Sequence, residues 1–157
     1  MFARLKEEIR MSAPFAGVEE EVSLNLLRTA AVLEHAIAES LKPYGLTPTQ
    51  YNVLRILRGA GESGLCRNEV GERMLTPVPD ATRLLDRLED AGLVERHRDS
   101  EDRRFVTARI TGEGRALLAE LDVPVRGMHE RWYAHMSGAD LRTLASLLED
   151  ARARMPG

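Results

Sequence analysis

The sequence predicts a mainly α fold with one small β-wing, and three stretches of the 157-residue chain carry that expectation. Ala81, Leu84, Leu85 and Leu88 recur at three- and four-residue spacing, which gathers them on one face of a helix over residues 79–91. Upstream, Asn68 to Met74 reads as a shorter helix, with Val70 and Met74 four residues apart. Downstream, Leu93 to Arg98 and Phe105 to Thr111 read as two strands, because Val106, Ala108 and Ile110 alternate with Thr107, Arg109 and Thr111. Helix, turn, helix and paired strands, in that order, make a winged helix-turn-helix.

The elements follow along the chain. Phe2, Leu5 and Ile9 have helical spacing, but Pro14 and Gly17 cut the segment short, leaving a mobile arm or a small helix against a partner subunit. A long helix runs from about Glu19 to Leu41, with Leu26, Ala30, Leu33, Ile37 and Leu41 in one stripe, and ends at Pro43 and Gly45. Thr47-Pro48-Thr49-Gln50 is a capping box with proline at the first helical position; the helix it starts carries Tyr51, Val53, Leu54 and Leu57 and stops at Gly59 and Gly61.

Cys66 and Glu69 have the spacing of a second capping box at the head of the short helix. The linker from Leu75 to Pro79 cannot be helix interior, since Pro77 and Pro79 lack a donor and Val78 precedes a proline. Pro79 fits the first turn of the next helix, whose free amides and positive dipole end suit a phosphate or a base edge. Asp80, Thr82, Arg83, Asp86, Arg87 and Asp90 form the polar face of that helix, and Gly92 closes it in a left-handed conformation.

The loop Asp99-Ser100-Glu101-Asp102-Arg103-Arg104 joins the two strands. Two adjacent arginines flanked by carboxylates suit insertion into the minor groove, whose negative potential attracts guanidinium, with Asp102 fixing a neighbouring arginine; the alternative is a solvated hairpin with weak ion pairs. Thr111 then caps a helix reaching about Met136, lined by Leu117, Leu118, Leu121, Val125, Met128 and Trp132, with Pro124 expected to kink it. Ser137 and Asp140 open a last helix carrying Leu141, Leu144, Leu148 and Ala151, which frays near Pro156.

Length allows one domain over 1–157, with a winged core at about 46–111 and flanking helices at about 19–42 and 112–155. Those flanking helices carry more apolar surface than a small winged core needs, so a two-fold homodimer is expected. The formal charge of −3 argues against indiscriminate polyanion binding, so a DNA site must be a local set of arginines. A single cysteine forbids an internal disulfide and suits a reducing cytoplasm, no apolar run approaches the roughly 18 residues of a membrane span, and Glu7 and Glu8 interrupt the place of a signal peptide. His35, His97, His129 and His135 show no metal spacing, so no metal or other cofactor is expected; His97 is either a phosphate contact or a neutral surface histidine. No serine elbow, phosphate loop or dinucleotide fingerprint occurs, and catalysis is not expected.

The runs N-E-V-G-E-R-M, T-R-L-L-D-R-L-E-D-A-G-L-V-E-R and D-S-E-D-R-R-F-V-T-A-R-I-T-G-E-G together resemble the MarR family of bacterial transcriptional regulators, over roughly Leu24 to Met155. The resemblance implies a homodimer on a palindromic double-stranded DNA operator, with the helix at 79–91 in the major groove and the wing at 99–104 in the minor groove. Asp80, Thr82 and Arg83 would then face base edges, Arg83 as a bidentate partner of guanine, and Arg87 would meet phosphate. In the wing, Asp102 and Arg104 match the supporting acid and the inserted arginine, with Arg103 the alternative for insertion. The T-P-V-P-D entry departs from the more usual serine-rich one.

The resemblance further implies a repressor released by a small aromatic or phenolic effector, in a pocket drawing on His35, Tyr51, Met128, His129 and Trp132; plain core packing is the competing reading of those side chains. Some relatives sense peroxides through a cysteine in the first long helix, where this chain has none, so Cys66 is expected to be a packed or capping thiol. The alternative to a DNA-binding regulator is a winged-helix module for protein–protein interaction, its arginine-rich wing facing an acidic partner.

Overall fold

The computed structural model describes residues 5–77, 79–98 and 106–155. A one-turn helix, α1 (Leu5–Glu8), leads to the long α2 (Val18–Leu41). Leu5 is buried, and the Arg28 guanidinium reaches the Glu8 carboxylate at 3.4 Å, which ties α1 to α2. After a 3-10 turn at Lys42–Tyr44 the chain enters α3 (Pro48–Ala60) through the expected capping box. The Gln50 amide donates to Thr47 Oγ1 at 3.2 Å and the Thr47 amide to Gln50 Oε1 at 2.9 Å.

The core gathers on α3. Val53, Leu54 and Leu57 are fully buried, as three- and four-residue spacing on a helix surrounded by other elements requires. Around them pack α4 (Arg67–Glu72), α5 (Ala81–Asp90), a small sheet and α6 (Gly112–Trp132), contributing Val70, Leu85, Leu88, Val94, Ile110, Leu118 and Leu121. The last helix, α7 (Gly138–Arg152), is capped by Ser137, whose hydroxyl accepts from the Asp140 amide at 3.1 Å, and has no buried residue of its own.

The sheet has three strands, one more than the sequence led us to expect. β2 (Val94–Arg98) and β3 (Val106–Ile110) are the wing hairpin, and β1 (Leu65–Cys66) adds to the other side of β3 in the order β1-β3-β2. Leu65 lies opposite Ala108 and Cys66 opposite Thr107, all strands antiparallel. Gly64 makes that approach feasible: its φ is +67°, and a Cβ there would stand 2.6 Å from the Ala108 carbonyl oxygen. β1 escaped sequence reading because two residues carry no period; only the partner strand defines them.

Three boundaries also move. α5 begins at Ala81, so Pro79 lies before the helix and Asp80 takes the cap. Its carboxylate accepts from the Arg83 amide at 3.0 Å, satisfying one of the free amides of the first turn. α4 ends at Glu72 instead of Met74, and α6 at Trp132 instead of Met136, with Pro124 accommodated within it.

Candidate nucleic-acid interface

The mounting of α5 decides which of its polar residues are free. At its end the Leu93 amide donates to the Leu88 carbonyl at 2.9 Å and the Gly92 amide to that of Glu89 at 2.8 Å, the paired closure of a Schellman motif, with Gly92 at φ +71°. Thr111 bridges onward: its hydroxyl donates to the Gly92 carbonyl at 2.7 Å and accepts from the Gly114 amide at 3.1 Å. The end of α5 and the start of α6 thus share one residue.

Laterally, α5 is bolted to the wing by Arg96. Val94 and Arg96 share one side of β2, and Val94 is buried there, so the Arg96 side chain runs inward toward α5. Its guanidinium pairs with Asp86, lies 3.6 Å from Glu89 Oε2, and donates to the Thr82 carbonyl at 3.4 Å. Arg67, at the start of α4, donates to Thr82 Oγ1 at 3.3 Å. A cavity of about 410 Å³ opens between α4, α5 and the sheet, lined by Cys66, Arg67, Asn68, Thr82, Leu85 and Arg96 among others.

Of the residues named from sequence, Asp80 is therefore spent on the cap, and half-buried Thr82 turns its hydroxyl to Arg67. Pro79, Arg83 and Arg87 are exposed, and the two arginines, four apart, share one face of the helix. Asp102, Arg103 and Arg104 lie outside the described residues. Arg96 and Arg67 were not singled out from sequence, although an arginine at the inward parity of β2 was the available signal for the first.

Of the five side chains assigned to an effector pocket, two are placed directly against each other. His129 and Trp132 stack edge to face, ring centroids 5.4 Å apart at 87°, with Met128 buried beside them in sequence. Tyr51 lies with its ring 5.8 Å from the Arg55 guanidinium, and His35 is exposed on α2.

Cys66 occupies the N-cap of α4, half-buried, and its amide donates to Glu69 Oε2 at 2.7 Å. That bond holds the Glu69 carboxyl below the usual range. On the outer face of the wing His97 Nε2 lies 2.8 Å from Glu95, which keeps that carboxyl low as well. A bidentate pair, Arg58 to Asp122 at 2.8 and 2.9 Å, joins α3 to α6, lowering the Asp122 pKa and raising that of Arg58. Among the described residues no group of three His, Cys, Asp or Glu side chains is placed to hold a metal, and no helix is long and apolar enough to cross a membrane.

A helix pair with its second member capped, closed and bolted to a three-stranded wing is a winged helix-turn-helix of the DNA-binding class. The MarR family profile matches residues 44–104. The HTH-type transcriptional repressor Rv2887 of Mycobacterium tuberculosis is 30% identical over 135 residues, covering 85% of this chain and 96% of that protein. Among solved structures, a MarR transcription factor from Planctomyces limnophilus is 38% identical with a TM-score of 0.67, over 87% of this chain and 98% of that one. The PcaV transcriptional regulator from Streptomyces coelicolor, in complex with its natural ligand, is 26% identical with a TM-score of 0.68, over 80% and 90%. The chain belongs to the MarR family of DNA-binding transcriptional regulators.

Proposed function

We propose that the protein is a cytoplasmic homodimeric repressor that reads a palindromic operator with α5 in the major groove and the 99–104 loop in the minor groove. One observation carries this reading. α5 spends Asp80, Thr82 and Asp86 on its own mounting and leaves Arg83 and Arg87 exposed on one face. A rigidly held helix that presents two unspent guanidiniums suits bidentate contact to guanine from Arg83 and a phosphate contact from Arg87. Arg103 or Arg104 would supply the minor-groove contact, with Asp102 in support.

The dimer is supported by apolar surface that one chain leaves uncovered. Leu27 on α2 is 68% exposed and Leu147 on α7 is 60% exposed, and Val18, Val22 and Val32 lie open on α2. Such surface favours association through the terminal helices. The repressor role follows the relative named as one. A response to a small ligand is supported by the regulator solved with its natural ligand; that the ligand is aromatic or phenolic and releases the repressor is the expectation from the family resemblance, with His35, Tyr51, Met128, His129 and Trp132 as the residues to probe.

The test begins with selection of bound sequences from random duplex DNA. Arg83→Ala should then weaken the selected duplex by about 1–3 kcal/mol and relax the preference at one base position. An affinity and a preference both unchanged would remove α5 from the groove. Transfer of the loss to an acidic protein partner would favour the interaction-module alternative.

A further inference from the structure

We propose that Asn52, on α3, is a positioning residue for DNA recognition: its side chain pins the turn that delivers α5. The inference rests on the proposed placement of α5 in the groove.

Among the described residues the turn has few other holds. After Met74, which packs on the core, the chain is exposed at Leu75, Thr76, Pro77, Pro79 and Asp80 before it re-enters at Ala81. Leu75 is 87% exposed, so burial of its side chain does not anchor it. Pro77 and Pro79 have no amide to donate. The Leu75 amide, however, donates to Asn52 Oδ1 at 3.0 Å, across 23 positions of sequence. Asn52 is half-buried and adjoins the buried Val53 and Leu54, so its acceptor is carried by a helix fixed in the core by fully buried side chains.

A bidentate contact between arginine and guanine has narrow geometric tolerance, so a helix whose entry wanders loses discrimination before it loses charge attraction. Asn52 thereby transmits the rigidity of α3 to the head of α5, where Arg83 stands one turn in. Its amide is a fixed stop placed before the prolines, and the Asp80 cap is the second stop after them.

Two variants separate this role from general stability. Asn52→Leu keeps the size and removes the acceptor; Asn52→Asp keeps the acceptor. Hydrogen exchange at the Leu75 amide should be slow in the wild type and in Asn52→Asp and fast in Asn52→Leu. The ratio of affinity for the selected duplex to that for random duplex should fall about tenfold in Asn52→Leu, the scale of one disordered base contact. It should hold in Asn52→Asp, since an added negative charge weakens both duplexes alike and cancels in the ratio. Should Asn52→Leu fail to fold, Asn52→Ala carries the same comparison. A ratio within twofold of wild type in the acceptor-free variant, or fast exchange at Leu75 in the wild type, would overturn the assignment. A wild type with no preference among duplexes would overturn the placement of α5 itself, and the exchange result would then describe the turn alone.

Discussion

Arg83 and Arg87 sit one helical turn apart and differ in the job their surroundings leave them. On the proposed reading Arg83, just after the capped start, would reach a base edge, and Arg87, a turn further on, would meet the phosphate ridge. Arg87→Ala should weaken selected and random duplex by similar factors and lower the slope of log affinity against log salt by about 1, measured by fluorescence anisotropy over a salt series. A change confined to one base position would give it the reading role instead. Arg96 is a different kind of arginine. Its contacts are Asp86, Glu89 and the Thr82 carbonyl, so on the proposed reading it would act through the orientation of α5 against the wing. The sequence marked Arg83 and Arg87 by the polar stripe of a helix. It could not mark the Thr82 hydroxyl as occupied, because the occupant, Arg67, comes from α4 and meets it only after the two helices pack.

The elements with local signals were legible from the chain alone. Thr47 with Gln50, Gly92 after Leu88, Thr111 and Ser137 each act within a few residues, and the structure places a cap or a stop at every one. Where the deciding partner is distant, reading failed. β1 exists because β3 lies beside it, and α5 starts at Ala81, where its apolar period begins, two residues later than the placing of Pro79 in the first turn suggested, with Asp80 as the cap. The cap gives a measurable handle. Asp80→Ala should lower stability by about 1 kcal/mol, read as a shift of the urea midpoint with unchanged slope, while Asp80→Asn, which keeps an acceptor, should cost less. Equal losses for both would mean that the carboxylate charge at the helix dipole, and not the bond to the Arg83 amide, is what holds the start.

Across the whole molecule, the proposed dimer would draw on the open apolar stretches of α2 and α7. Substituting Leu27 and Leu147 together by glutamate should turn a dimer into a monomer in light scattering at micromolar concentration, leave the helix content by circular dichroism, and weaken operator binding more than either arginine change. A double variant still dimeric would place the interface elsewhere. Acid should act at the joint of α3 with α6 and at the head of α4. The Asp122 carboxyl is held low chiefly by its hydrogen bond from Arg58, and Glu69 chiefly by the Cys66 amide. A lowered folded-state pKa means that the unfolded chain takes up protons first as pH falls. The stabilisation is therefore complete above the ordinary carboxylate range and is lost as pH drops through the lowered values. Both groups are largely solvated, so the effect is modest: the melting temperature should fall between pH 6 and pH 3, and fall less in Asp122→Asn, which has no carboxyl to titrate there. Parallel curves for the two proteins would show that this pair does not carry the acid response.

The Arg96 bolt has one more consequence, for inheritance of specificity. Its three partners on α5 and the arginine itself all lie between Thr82 and Arg96, so the joint between α5 and β2 is encoded within one short segment. On the proposed reading, new operators would arise by exchanging what stands at 83 and 87 without disturbing that joint, and a related chain that also keeps Arg67 and Thr111 should accept the segment as a working graft.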